Sequence, residues 1–301
     1  MNKLHTGAKT DPLSRLKHKL RRLFRPKLGR AATPFNPTTD IPFIQNRFAK
    51  IGSVPIKNQG QSYSCGGQAG SYWLGVYFAI TNGTTYEEES AKSIYAPIAY
   101  PGGGTTVGAL EGQICNAGAL TEAMLPSYRP SGTTDEMWMT DKSWMTPENL
   151  IIALKEAGFV PVTIGNSIAE IAEAIRDHIG VIWQINSDFY QYQNWISAYP
   201  QRTATSPEGH FMFSALIVEY LNLLATKSFQ SWGDMVGDKG YQYFTEQTFI
   251  GSPDIKDVFT FVPKYVPHPL NPGQMIPNPL IITWQQRLIN YITELWNGVF
   301  K

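Results

Sequence analysis

Two side chains near the start of the chain have the types and spacing that thiol chemistry needs. Gln59 precedes Cys65 by six residues, and small turn-forming residues fill the interval. After Cys65 the apolar residues recur at helical spacing, at Tyr72, Trp73, Val76, Tyr77 and Ile80. Cys65 is therefore predicted to lie in the first turn of a buried helix, where the helix dipole and exposed N–H groups favour a thiolate. A buried cysteine with a purely structural role is the alternative, and Cys65 taken alone favours it.

An imidazole and two partners for it occur far along the chain. His210 precedes a predicted strand, Phe211–Tyr220, which would hold the ring at a sheet edge facing a cleft. Gln230 follows twenty residues later with an amide that can bond an imidazole, and Trp232 can shield that bond from water. A thiol, an imidazole, an orienting amide and an oxyanion donor are the groups of thiol-dependent acyl transfer, so Cys65 can act as a nucleophile.

The elements that must position these groups divide into a helical half and a β-rich half. Helices are predicted from Cys65 to a turn at Thr81–Gly83, over Tyr86–Tyr100, from Val107 to about Gly118, from Thr146 to Gly158, and over Ser167–His178. Strands are predicted at Phe159–Ile164, Gly180–Ile185, Phe211–Tyr220, Ser228–Trp232, Tyr241–Phe244 and Val258–Val262, whereas residues 126–145 look irregular. This order predicts an α+β fold with a cleft where the halves meet. Cys115 and His178 are expected to be structural, His178 as an imidazolium at a helix end.

Length and composition exclude several classes of protein. The chain has 301 residues, of which 43% are hydrophobic, enough for one large domain with a sizeable core. Its two cysteines exclude a disulfide framework, and its apolar runs are too short for a signal peptide or a membrane span. We therefore expect an intracellular or virion-associated protein. The cysteines and the five histidines show no metal-ligand spacing, so neither a metal nor a cofactor is expected.

The start of the chain carries most of its positive charge. Residues 1–30 hold ten Lys and Arg and one acid, a charge of +9, whereas the remainder holds fifteen basic and twenty-three acidic residues, a charge of −8. Within this arm, residues 13–24 predict a basic amphipathic helix. It would contact nucleic acid, an anionic surface or an acidic protein, or it would pack on the acidic body of its own chain.

The end of the chain also differs from its middle. Residues 265–279 contain five prolines and predict a linker, and residues 284–299 predict a final amphipathic helix. This helix would dock on the domain or on another subunit, and a membrane-surface anchor is the alternative, which its few cations disfavour. Residues 31–53 are expected to be an irregular connection. The predicted organisation is a basic arm over residues 1–30, a globular domain over 31–264, and a linker with a C-terminal helix over 265–301.

Four blocks of the sequence resemble the papain family of cysteine peptidases in order and spacing. They are Val54–Gly60 with Ser64–Gly66, the glycine run Gly102–Gly104, Gly209–His210, and Gln230–Gly233 with Gly237–Tyr241. The resemblance spans about residues 50–262. It implies a papain-like two-lobed fold with the active-site cleft between the lobes, and hydrolysis of a peptide or protein substrate through an acyl-thioenzyme.

The resemblance also implies a role for each matching residue. Cys65 is the nucleophile, and His210 is its imidazolium partner and later the acid to the leaving amine. Gln230 is the orienting group, and Gln59 forms the oxyanion hole with the backbone N–H of Cys65. The resemblance also implies five substrate-binding positions, which are Gly66, Gly103, Gly104, Gly209 and Trp232. Of these, Gly103 and Gly104 would lie along the substrate backbone.

Three positions depart from the family pattern. Gln230 stands where the family has asparagine, Gly66 where it has tryptophan, and Ser62 where it has a disulfide-forming cysteine. The alternative function is therefore a weak or inactive papain-fold module, structural or binding, in a virion or a multiprotein assembly. The run Gly67–Ala69 after the thiol and the short segment before the domain are more similar to divergent bacterial or phage members.

Overall fold

The structure is a computed structural model, and it describes residues 33–186, 197–199, 209–249, 255–268 and 271–278. The predicted basic arm and the predicted C-terminal helix lie outside the described residues, so their partners stay predictions. Within these ranges, no helix combines the length and the apolar character needed to cross a membrane.

The described part of the chain contains eight helices, numbered in chain order. They are α1 (Pro37–Ala49), α2 (Cys65–Asn82), α3 (Ala91–Ile98), α4 (Val107–Asn116), α5 (Glu136–Thr140), α6 (Pro147–Leu154), α7 (Ile168–His178) and α8 (Glu246–Phe249). The longest, α2, begins at Cys65 and ends at Asn82, and the left-handed φ of 65° at Gly83 closes it. The start of α2 agrees with the sequence prediction, and its end lies inside the predicted turn at Thr81–Gly83.

Eight strands follow or separate these helices. They are β1 (Phe159–Thr163), β2 (Val181–Asn186), β3 (Gly209–Tyr220), β4 (Leu223–Phe229), β5 (Tyr241–Thr245), β6 (Ile255–Pro263), β7 (Tyr265–His268) and β8 (Asn271–Pro277). The first six form one antiparallel sheet in the order β1-β6-β2-β3-β4-β5, and β7 pairs with β8. Helices dominate the first half and antiparallel strands the second, which confirms the predicted α+β class.

The large sheet is covered on both faces, because its strands carry apolar side chains on both sides. On one face Trp73 of α2 packs edge-to-face on Phe261 of β6, with ring centroids 4.8 Å apart. On the other face Trp183 of β2 packs on Phe244 of β5 at 4.7 Å, beside the apolar side of α7. The buried helix that begins at Cys65 is thus fixed directly against the strands that carry the imidazole side of the site.

Local capping signals in the sequence give helices at the predicted places. The Thr146 side chain accepts from the backbone N–H of Asn149, and Pro147 occupies the first turn of α6. The Ser167 hydroxyl and the Glu170 carboxylate form a complete capping box at the start of α7. Helix α7 packs on one face of the large sheet, and α6 packs with Ala96 and Leu120 of the helical half.

The connection predicted over residues 31–53 is wrong, because it contains α1. The Asn36 side chain accepts from Thr38 N–H at 3.1 Å and caps this helix, and Ile44 is buried against the sheet. Arg47 donates to the last carbonyls of α7, including that of Arg176 at 2.6 Å. Contacts with a distant helix therefore stabilise α1, although Pro42 lies inside it.

The helix predicted over Tyr86–Tyr100 is wrong over its first five residues. Ser90 N–H donates to the Leu120 carbonyl at 2.8 Å, so the chain before α3 pairs as an extended segment. The Ser90 side chain then accepts from Ser93 N–H at 3.1 Å and caps α3. A distant pairing decides where the helix begins.

Two segments expected to lack regular structure contain some. The short helix α5 lies inside the segment 126–145, and β7 and β8 form a hairpin inside the predicted linker. Tyr265 pairs with Pro277 in this hairpin. A two-stranded ribbon accepts proline because each strand has an outer edge where no N–H partner is required.

Candidate active site

Cys65 is the first residue of α2, and its side chain is fully buried. The N-cap residue Ser64 makes no side-chain cap, and the first turn, residues 65–68, holds no acid. Ser64 Oγ instead lies 2.7 Å from Ser62 Oγ and accepts from Gln68 Nε2 at 3.3 Å. The thiol therefore lies at the positive end of a helix whose own first turn brings no competing anion, as the sequence predicts.

Gln59 is fully buried between the loop before α2 and a loop of the β half. Its Nε2 donates to the Ser62 carbonyl at 2.9 Å, and its Oε1 accepts from Ser231 Oγ at 2.5 Å. Its backbone N–H donates to the Ser231 carbonyl at 2.6 Å. Both ends of the amide are thus oriented by hydrogen bonds.

The bonds between Gln59 and Ser231 belong to a short antiparallel contact of residues 57–59 with residues 231–233. Asn58 forms an isolated β-bridge with Trp232 at its centre. The strand predicted to continue to Trp232 ends at Phe229, because the chain leaves the sheet there to make this contact. The glutamine of the predicted oxyanion hole is therefore joined by backbone bonds to the residues that follow Gln230.

His210 is the second residue of β3 and is fully buried. Its ring stacks on the Trp232 indole, with centroids 3.9 Å apart and planes 19° apart, and its Nε2 lies 3.3 Å from Gln230 Oε1. Gly209 precedes it and pairs with Asn186 of β2. Because an amide oxygen only accepts, the bond to Gln230 places the ring proton on Nε2 and the lone pair on Nδ1.

Gln230 reaches the imidazole despite its extra methylene. Its Oε1 faces His210, whereas its Nε2 donates to Gln242 Oε1 at 2.6 Å and lies 2.8 Å from Met212 Sδ. The side chain is fully buried. The structure therefore brings together the three residues of the imidazole side that the sequence singles out, His210, Gln230 and Trp232.

Burial governs the protonation of the imidazole. It lowers the pKa of His210 to about 3, and the hydrogen bond to Gln230 opposes this only in part. At neutral pH the ring is therefore neutral, in contrast to the imidazolium that the family resemblance implies. Proton transfer from a thiol to this ring would have to accompany the attack on a substrate.

Gly66 is the point where the thiol side and the imidazole side meet. A Cβ at this position would lie 2.6 Å from Thr105 Cγ2 and 3.3 Å from the ring of Phe211, the residue after His210. The start of α2 thus packs closely on two side chains, Phe211 of β3 and Thr105 of the segment before α4. The structure has no room for the tryptophan that the family carries here, so the departure at Gly66 is a packing requirement.

The glycine run approaches the same end of α2. Gly102, Gly103 and Gly104 have φ values of 81°, 89° and 84°, a backbone that other residues rarely adopt. A Cβ on Gly103 would lie 2.4 Å from the ring of Tyr63, two residues before Cys65. The structure therefore places the run beside the loop that leads to the thiol, and contact of these glycines with a substrate stays a prediction.

Two residues that hold the glycine run were missed in the sequence. Glu136 of α5 accepts from the Tyr63 N–H and from the Tyr95 hydroxyl, each at 2.7 Å. The Tyr95 oxygen accepts in turn from Gly104 N–H at 2.6 Å. The sequence carries no local signal for Glu136, which follows a second acid, Asp135, and precedes Met137.

Cys115 and His178 lie outside the site. Cys115 is buried in the core on α4, as predicted, and no disulfide joins it to Cys65. His178 ends α7, but burial lowers its pKa, so its expected imidazolium form is wrong and the neutral ring is favoured. Across the described ranges, no three His, Cys, Asp or Glu side chains form a group that could hold a metal ion.

The described fold is similar to solved structures of cysteine proteases. Xylellain, a cysteine protease from Xylella fastidiosa, has a TM-score of 0.58 at 12% identity, covering 87% of this chain and 98% of that chain. Procathepsin B S9 from Trypanosoma congolense has a TM-score of 0.58 at 13% identity, covering 86% of each chain. The bromelain protease from Ananas comosus, in complex with the inhibitor E64, has a TM-score of 0.51 at 18% identity, covering 69% of this chain and 93% of that chain.

Sequence comparison adds nothing to this likeness. No protein-family model matches the chain, and no curated protein is significantly similar to it. Identities of 12% to 18% show the fold alone. The chain has the papain-like two-lobed α+β fold, with a helical half and an antiparallel β-rich half.

Proposed function

We propose that this protein is a cysteine-type endopeptidase that hydrolyses peptide bonds through an acyl-thioenzyme. The observation that carries the proposal is the bond between His210 Nε2 and Gln230 Oε1, shielded by Trp232. It orients the ring and leaves Nδ1 as the basic nitrogen, which is the tautomer that a partner for a thiol nucleophile requires. A module with a purely structural role would not need an oriented tautomer.

The proposed reaction proceeds in two stages, formation of the thioester and its hydrolysis. Nδ1 of His210 takes the thiol proton as Cys65 Sγ attacks the carbonyl carbon, and the carbonyl oxygen becomes an oxyanion that accepts from Gln59 Nε2 and from the Cys65 N–H. The C–N bond then breaks, and the leaving amine takes the proton from His210. In the second stage a water molecule gives a proton to the same nitrogen and attacks the thioester, which releases the acid and restores the thiol.

Burial of the reacting groups favours a second candidate function. Cys65 and His210 are both 0% exposed, so a substrate would have to displace whatever covers them. A structural or binding module of a virion or a multiprotein assembly needs no such access. In that case the basic arm and the C-terminal helix would serve as attachment points.

Labelling and turnover of the full chain separate the two functions. An irreversible thiol-directed epoxide should label Cys65 and leave Cys115 unmodified, and the chain should cleave members of a fluorogenic peptide library. Cys65→Ala should lower turnover by at least about 10³-fold, whereas the matched control Cys115→Ala should leave it unchanged. Turnover that persists in Cys65→Ala, or a Cys65 that stays unlabelled in the native protein, would contradict the peptidase.

We also propose a compartment and an origin. Cys65 and Cys115 form no disulfide with each other, which supports a reducing compartment, inside a cell or a virion. The run Gly67–Ala69 after the thiol supports a divergent bacterial or phage protein.

A further inference from the structure

Gln242 lies on β5, fully buried behind Gln230 as seen from the imidazole. Its Oε1 accepts from Gln230 Nε2 at 2.6 Å, and its Nε2 donates to the Ser197 carbonyl at 3.0 Å. A line of three hydrogen bonds therefore runs from a backbone carbonyl through two amides to His210. Nothing in the resemblance to the papain family assigns a role to Gln242.

The direction of every bond in this line follows from its first member. A backbone carbonyl accepts only, so the end of the Gln242 amide that faces Ser197 is the nitrogen. Gln242 Oε1 then faces Gln230, which turns Gln230 Nε2 toward it and Gln230 Oε1 toward His210. Met212 Sδ, at 2.8 Å from Gln230 Nε2, is a weak acceptor and favours the same orientation.

The Ser197 carbonyl is itself held by β5 and its surroundings. Tyr243, next to Gln242 on β5, donates its backbone N–H to the Ala198 carbonyl at 2.8 Å. The Tyr199 hydroxyl lies 3.0 Å from Thr245 Oγ1, at the end of the same strand. The strand that carries Gln242 therefore also fixes the carbonyl that orients its amide.

We propose that Gln242 is a positioning residue that sets the tautomer of His210 through Gln230. The longer side chain of Gln230 carries its amide farther from the backbone than an asparagine would, and Gln242 supplies the second anchor. Without that anchor the Gln230 amide can rotate by half a turn. Its N–H would then face His210 Nε2, the ring proton would move to Nδ1, and the nitrogen that takes the thiol proton would be lost.

The role of Gln242 rests on the proposed peptidase function, and steady-state kinetics of the active protein tests it. Gln242→Leu should lower kcat by about 10- to 100-fold, part of the contribution of a general base, with KM unchanged because Gln242 contacts no substrate group. In a Gln230→Leu background the same substitution should have no further effect. The matched control is Gln113→Leu, which removes a buried amide whose Nε2 donates to the Gly118 carbonyl at 3.1 Å on the helical side.

A spectroscopic measurement tests the same role without any turnover. In full-length Cys65→Ala protein with ¹⁵N-labelled histidines at neutral pH, His210 should show the Nε2–H tautomer, with its signals assigned by their loss in a His210→Asn variant. Gln242→Leu should shift the population toward Nδ1–H. Gln242→Glu should retain Nε2–H, because a buried carboxylic acid can donate to the Ser197 carbonyl and accept from Gln230 Nε2.

The outcomes separate this role from the peptidase itself. An Nε2–H population that is the same in Gln242→Leu as in the parent overturns the role of Gln242, whatever the turnover. An unchanged kcat in Gln242→Leu, when the parent protein is active, also overturns the role of Gln242. If Gln242→Leu does not fold, Gln242→Met replaces it, since a thioether of similar length provides no donor and only a weak acceptor. Absence of turnover in the unmodified protein contradicts the proposed peptidase activity but not the role of Gln242. The tautomer measurement then still tests whether Gln242 sets the proton position on His210.

Discussion

The two sides of the candidate site hold their groups by different means. On the thiol side the backbone does most of the positioning: Cys65 opens a helix, and Gln59 is tied by its own N–H to a loop of the β half. On the imidazole side the side chains do it: His210 is held by the Trp232 ring and the Gln230 amide. A group held by backbone tolerates side-chain changes unless space is lacking, whereas a group held by side chains depends on each of them.

This difference accounts for the departures from the family pattern. On the thiol side Ser62 replaces a cysteine, and its hydroxyl still bonds the Gln59 carbonyl at 2.7 Å inside the same loop. On the imidazole side Gln230 replaces an asparagine, and its longer side chain bonds a second glutamine, Gln242, at 2.6 Å. On the imidazole side, the longer side chain of Gln230 is thus accompanied by a second side chain, Gln242, that holds its amide.

The largest expected effect of a substitution at neutral pH is at Gly66, where the thiol side packs on Phe211 of the imidazole side. Gly66→Trp should lower the free energy of unfolding by about 3 kcal/mol, at the upper end of the range for overpacking, because even a Cβ would lie 2.6 Å from Thr105 Cγ2. Gly66→Ala should lower it by about 1 kcal/mol. Urea denaturation measures both values.

Gly112 is the matched control for this position. It also lies inside a helix, α4, but a Cβ there would meet no atom within 4 Å. Gly112→Ala should therefore raise the free energy of unfolding by about 0.5–1 kcal/mol through helix propensity. If Gly66→Trp unfolds at the same urea concentration as the parent, the close packing of Gly66 on Thr105 and Phe211 does not stabilise the fold.

The second effect is the dependence of stability on pH, which should differ in sign between the two halves. The pKa of His210 is lowered by burial from 6.5 to about 3, so its contribution to stability is present above pH 6.5 and is lost as pH falls toward 3. The free energy of unfolding should therefore fall by about 1.4 kcal/mol per pH unit in that window, relative to His210→Leu. Urea titrations of both proteins at several pH values measure the difference.

In the helical half a buried carboxyl acts in the opposite direction. Burial raises the pKa of Glu89, and the neighbouring Glu156 carboxylate raises it further. Its contribution is present below the ordinary glutamate pKa of 4.5 and is lost as pH rises through the raised value. Glu89→Gln should flatten the stability profile above pH 4.5 and leave it unchanged below pH 4.5, where His210 is the one of the two that titrates. A profile that changes below pH 4.5 in Glu89→Gln would show that the two halves titrate together.

The smallest expected effect is at Trp232. Trp232→Phe keeps a ring over His210 and should change kcat by less than about 3-fold, whereas Trp232→Leu removes an aromatic contact of about 0.5–1.5 kcal/mol. Trp232→Leu also admits water, so the pKa of His210 should rise and the acid limb of kcat/KM should move to higher pH. A pH–rate profile of the three proteins tests this order. Equal profiles would mean that the Gln230 amide alone orients the ring.

Features that depend on a few neighbouring residues could be predicted from the sequence. The start of α2, the cap at Thr146 and the capping box at Ser167 follow from residues within one or two turns, and they are found where expected. The alternation of β-branched and aromatic residues likewise indicates the strands of the large sheet. The fold class follows from the order of these elements along the chain.

Features that depend on distant contacts could not be predicted. Helix α1 has an internal proline and only one fully buried side chain, Ile44, and it is stabilised by the bonds of Arg47 to the end of α7. Gln242 and Glu136 belong to no motif, and their roles appear only when the sheet and α5 place them beside Gln230 and Tyr63. Sequence spacing indicates which groups could react, whereas the bonds behind them depend on tertiary structure.

The backbone contact between Gln59 and Ser231 also sets when the protein could first act. These residues are 172 positions apart, so Cys65 and Gln59 leave the ribosome long before the loop that contains Ser231 is made. At a synthesis rate of about 5–20 residues per second, that interval is about ten to thirty seconds. Throughout it the nascent chain has a cysteine but neither an oriented imidazole nor an anchored Gln59. For the proposed peptidase, the order of the chain thus delays cleavage until the β half has been made.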